Sequence, residues 1–63
     1  MDNNTEAYIA YIGTIWEFIQ GMNEDEVREL IKDDIKMMDE ECATFTRDHF
    51  EEIVAEAMRE LEV

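Results

Sequence analysis

Proline is missing from this 63-residue chain, and glycine occurs only at Gly13 and Gly21. With so few breakers, little of the chain is set aside for turns. Cysteine occurs once, as Cys42, which excludes an internal disulfide and fits a reducing compartment. Histidine also occurs once, as His49, with no Ser or Cys beside it at nucleophile-and-base spacing. Nothing matches a phosphate-binding glycine loop, an HExxH helix, a zinc finger or an EF-hand loop. No catalytic group is expected, and the chain reads as a non-enzyme.

Long hydrophobic runs are lacking too. The apolar stretch after the N-terminus is interrupted by Glu17 and is too short for the ~30 Å of a bilayer core. The first residues carry acid where a secretory signal carries Lys or Arg. A soluble, cytoplasmic protein with no membrane partner is the expectation. Basic residues are the scarcest charge: 5 Lys and Arg stand against 18 Asp and Glu, a formal net charge of −13. Such a chain repels nucleic acid and anionic membranes and attracts basic surfaces. Disorder is argued against by 46% hydrophobic residues at helical spacing.

The richest stretch runs from Tyr8 to Met22 and holds the only Trp and both Tyr. At about 100° per residue its apolar side chains cover half of a helix, which predicts helix 1 over about 5–20. The chain is expected to pack around it. Residues 2–5 offer N-caps, and Gly21 suits the left-handed residue that ends a helix. Asn23 and Glu26 form a capping box, with Met22 and Val27 as its staple. Helix 2 is placed at 24–41. Thr46, with Thr44 competing, caps helix 3 over 47–62, and Phe45 and Phe50 form its staple.

The expected fold is therefore all-α, a single domain over 1–63, arranged as a three-helix antiparallel bundle. A domain this small buries only ~60% of the surface its unfolded chain exposes. The surplus apolar surface of helix 1 points to a homodimer, with a well-packed monomer as the plain alternative. Gly13, on the polar half of helix 1, costs roughly 1 kcal/mol against Ala. It marks either a close backbone approach or a tolerated defect.

Asp34 projects onto the apolar face of helix 2, where an unpaired buried carboxylate costs several kcal/mol. Either helix rotation brings it to water, or this face is a mixed patch that meets a partner. Asp34, Glu41 and His49 are the one grouping to weigh as metal ligands. The Glu-x-x-His spacing of di-metal bundles is absent, because Thr46 stands three before His49. No metal and no cofactor are expected.

The acids carry the functional signal. Asp48, Glu52, Glu56 and Glu60 follow one another at i, i+4, a spacing that weakens an isolated helix. Four residues rise about 6 Å, close to the separation of successive phosphates on one strand. Glu26, Glu29, Asp33 and Glu40 make a second acidic band, beside a basic stripe of Arg28, Lys32 and Lys36. These eight acids are the candidate partner-binding residues.

In size, acidity and lack of motifs, and through the acids just named, the chain resembles the small phage inhibitors of host defence. These include acidic anti-CRISPR and anti-restriction proteins that act as DNA mimics. The resemblance implies an inhibitor that binds a basic nucleic-acid-handling complex, of the Cas effector or nuclease type, without contacting nucleic acid itself. The charge-assisted contacts that hold phosphates would hold its carboxylates. The bland reading is an acidic surface that only solubilises. A second class is a regulatory or antitoxin-type module that docks through apolar helix 1, by Tyr8, Tyr11, Trp16 and Phe18. The competing role of those four residues is core.

Overall fold

The computed structural model describes residues 3–62. They form α1 (Asn3–Ile19), α2 (Glu24–Ile35), α3 (Glu40–Asp48) and α4 (Phe50–Leu61), with no strand among them. The all-α class holds, but there are four helices where three were expected. Asn3 to Thr5 already lie inside α1, and the alternative cap Asp2 lies outside the described residues.

The first turn is as the sequence predicts. Gly21 ends α1 with φ +80°, a conformation in which a Cβ is crowded. The Asn23 side chain accepts from the Glu26 N–H at 2.9 Å, and Glu26 Oε1 accepts from the Asn23 N–H at 3.0 Å. Met22 and Val27 both join the core.

The expected long second helix stops at Ile35. Asp39 caps a new helix, its carboxylate accepting from the Cys42 N–H at 2.9 Å, with Glu40 and Glu41 in the first turn. That acid-rich start suits the positive end of a helix dipole. The bend leaves Met37 in water at 86% exposure. Residues 42–45, which the expected helices leave as a short connection, are helical instead. Thr46 is buried, and its hydroxyl donates to the Cys42 carbonyl at 2.7 Å, so it is not a cap. The break falls instead at His49, whose φ of −118° and ψ of 25° lie outside the helical region. Its ring stacks on Phe45 at 4.3 Å and lies 5.7 Å from Tyr8.

Helix 1 is not the hub. α2 and α4 each pack against all three other helices. Four of the five largest fully buried side chains are theirs: Val27, Ile31, Ile53 and Val54, with Ile19 from α1. Backbone contact between α1 and α3 is replaced by Tyr8 against Phe45, ring centres 6.0 Å apart. α1 divides its aromatics: Tyr8 is buried, Tyr11 half-buried, Trp16 and Phe18 exposed. The reading of all four as core therefore fails for Trp16 and Phe18. Among the described residues, no helix is long and apolar enough to cross a membrane.

Candidate binding surface

The structure does not assemble Asp48, Glu52, Glu56 and Glu60 into one outward stripe. Asp48 ends α3, across the His49 break from the others. Glu56 is buried at 9% exposure and pairs with Arg59 at 3.0 Å. Glu60 is half-buried beside Ile9, Gly13 and Trp16 of α1. Glu52 is exposed, and it shares a depression with Glu56, His49 and Arg59. A helix packed on three neighbours cannot offer water every fourth residue of a row that turns inward.

The second band survives in part. Glu26, Glu29 and Asp33 are exposed on α2 and surround a shallow depression floored by Met22 and Leu30. Glu40 is exposed but belongs to α3. Each acid of the α2 trio has a local partner. Glu26 closes the capping box, Glu29 lies 3.9 Å from Lys32, and Asp33 lies 3.8 Å from Lys36. Exposed pairs of this length contribute little to stability, so an incoming Arg or Lys can displace them.

Arg28 is bound more firmly. It donates to Glu24, four residues before it, at 3.0 Å and also to Glu51 of α4. The bond from Arg28 holds the Glu51 carboxyl below the usual carboxylate range, and Glu51 and Glu24 push the guanidinium above its own. Every Lys and Arg except Arg47 thus stands in an ion pair among the described residues. Of the described acids, only Asp34, Glu56 and Glu60 are withdrawn from full exposure. Carboxylates thus dominate the exposed charge, while Lys32 and Arg47 share a depression lined by two cations and no acid.

Asp34, the acid on the apolar face, is half-buried and accepts from the Tyr11 hydroxyl at 2.6 Å. Burial and that carboxylate raise the Tyr11 pKa well above the ordinary tyrosine value. The pair stands at the edge of a depression of about 460 Å³, reached by Ala7, Met38, Glu41, Cys42, Phe45, Thr46 and Ile53. The Cys42 thiol is pushed up, first by its hydrogen bond to Asp39 and then by that residue's charge. The Cys42 backbone in turn holds the Asp39 carboxyl low. Sequence reasoning singled out Asp34 and Glu41 but missed this depression, which exists only because the chain bends at Met37–Asp39.

His49 lines a different depression, and so does not join Asp34 and Glu41. Compared with known protein families, curated proteins and solved structures, the chain shows no significant match to any of the three.

Proposed function

We propose that this protein binds and blocks a basic, nucleic-acid-handling protein or complex, its carboxylates taking the place of phosphates. The observation that carries the reading is the one-sided charge of the surface. Nearly all described acids face water, while the cations, except Arg47, are held in ion pairs. The lead contacts are Glu26, Glu29 and Asp33 of α2, supported by Glu40, Asp48 and Glu52. Glu56 and Glu60 serve the fold. Blocking of this kind is what an anti-CRISPR or anti-restriction protein does, and the protein has no catalytic part in it.

The test is capture of proteins on the immobilised chain, with duplex DNA added as competitor and salt raised in steps. Binding through carboxylates weakens steeply between about 50 and 200 mM salt, because the contacts are screened. The reading expects a DNA-binding complex that is released by DNA and lost in the E26Q/E29Q/D33N variant. Capture that neither DNA nor the variant reduces would overturn it.

A second reading rests on α1. Ile9 and Trp16, 39% and 38% exposed, lie on one flank of α1, and Phe18, 66% exposed, lies on the opposite flank, so either flank offers an apolar contact. Contact through these side chains, with another protein or with a second copy as a homodimer, is insensitive to salt. Trp16→Ser and Phe18→Ser abolish binding of this kind and leave carboxylate binding intact.

A further inference from the structure

We infer that the depression edged by Tyr11 and Asp34 receives an apolar side chain that a partner segment carries next to Lys or Arg. The inference deepens the reading of a basic partner by naming what that partner inserts.

The lining explains the apolar half of the occupant. Met38, Phe45 and Ile53 line the depression from the α2–α3 bend, α3 and α4 respectively. Its volume of about 460 Å³ lies in the range of clefts that seat ligands. Most of the exposed lining is carbon, so water there is held poorly and an apolar group gains by displacing it.

The rim explains the charged half. Tyr11 bonds Asp34 Oδ2, and among the described residues no donor reaches Oδ1. No buried side-chain oxygen among the described residues is left unpartnered, so Oδ1 stays within reach of solvent or a ligand. Glu41 is exposed and forms no ion pair among the described residues. Two carboxylates therefore stand at the mouth of an apolar cleft, one of them oriented by a phenol. An Arg or Lys entering beside an apolar anchor meets both, and such charge-assisted bonds are the stronger kind. Complementarity also rejects other occupants. A second copy carries the same −13 charge, and nucleic acid is repelled by the same carboxylates.

Cys42, the only cysteine, belongs to the lining and reports occupancy. The experiment follows its modification by a thiol reagent, using the whole chain with a short Lys/Leu amphipathic peptide. A Lys/Ser peptide of equal charge and octylamine serve as the other arms. The Lys/Leu peptide is expected to slow the reaction, and the Lys/Ser peptide to leave it unchanged. Ala7→Leu, which fills the cleft from α1, and Glu41→Gln, at an exposed site, should each weaken peptide binding about tenfold. Equal protection by Lys/Ser, or undiminished binding to both variants, overturns the proposal. Protection by octylamine as strong as by the peptide overturns the partner segment in favour of a small cationic amphiphile. Since no DNA enters this assay, failure of DNA competition in the capture experiment retires the phosphate-mimic reading alone.

Discussion

The Tyr11 hydroxyl donates to Asp34 at 2.6 Å, joining the middle of α1 to the last turn of α2. Tyr11→Phe removes the donor and leaves a half-buried carboxylate without it, a loss of about 1–2 kcal/mol in urea denaturation. The bond also gives an alkaline limit. Tyr11 is raised above its unfolded value, so its stabilisation is complete below about pH 10 and is lost as pH climbs through the folded value. Melting curves above pH 10 should fall in the natural chain and flatten in the variant.

Asp39 does two things that can be separated. As the cap of α3 it accepts from the Cys42 N–H, and its hydrogen bond to the thiol, seconded by its charge, holds the Cys42 thiol up. Asp39→Asn keeps a capping oxygen and removes the charge, so Cys42 reacts faster with thiol reagents near pH 8 while melting changes little. Asp39→Ala speeds the reaction and also lowers the melting temperature. Because the native Asp39 carboxyl is held low, its contribution persists above the ordinary Asp value and is lost only as pH falls through its depressed value.

The two glycines should respond with opposite signs. A Cβ at Gly13 meets nothing within 4 Å, so Gly13→Ala adds about 0.5–1 kcal/mol by helix propensity. The open space also removes any close backbone approach within this chain as the reason for the glycine. At Gly21, φ +80° makes Ala cost about 1–2 kcal/mol. Chemical denaturation of both variants checks the pair.

Side-chain size and burial part company on α1. Ile19 is 0% exposed, so Ile19→Ala should cost about 2–5 kcal/mol and leave little of a small domain's stability. Phe18, larger but 66% exposed, should tolerate Ser at well under 1 kcal/mol. A Phe18 variant as damaging as the Ile19 variant would contradict the packing described.

Added sodium chloride should raise the melting temperature from its low-salt value. Screening relieves repulsion among carboxylates that outnumber the cations by 18 to 5. Loss of the exposed ion pairs works the other way but is the smaller effect.

The sequence makes the helical class legible, along with the Gly21 stop and the Asn23–Glu26 box, because each is a local signal that packing had no reason to override. It hid the α2–α3 bend for a physical reason. Met37, Met38 and Cys42 look like a continuing apolar stripe, and Asp39, the cap of α3, is one acid among many with nothing in the sequence to mark it out. Once that bend is missed, Thr46 is mistaken for a helix start and Asp48 is assigned to the wrong helix. The site suffered similarly. A row of acids at i, i+4 fixes their helix face but not which way that face turns, and Glu56 turned inward. Asp34 broke the apolar pattern of α2, and that irregularity led closer to the candidate cleft than the regular stripe did.

Trp16 is the chain's only tryptophan, and it stands partly exposed beside Glu60 on the α1–α4 side, apart from the Asp34 cleft. Its emission therefore reads the seam of the bundle rather than the cleft. The field around it is negative, so, relative to free tryptophan, dissolved iodide should lose more of its quenching than caesium does. A partner that covers α1 would shut out both ions, whereas one seated on the carboxylates of α2 would cancel the field and let iodide in. A single fluorophore thus distinguishes the two faces by the sign of the ion that reaches it.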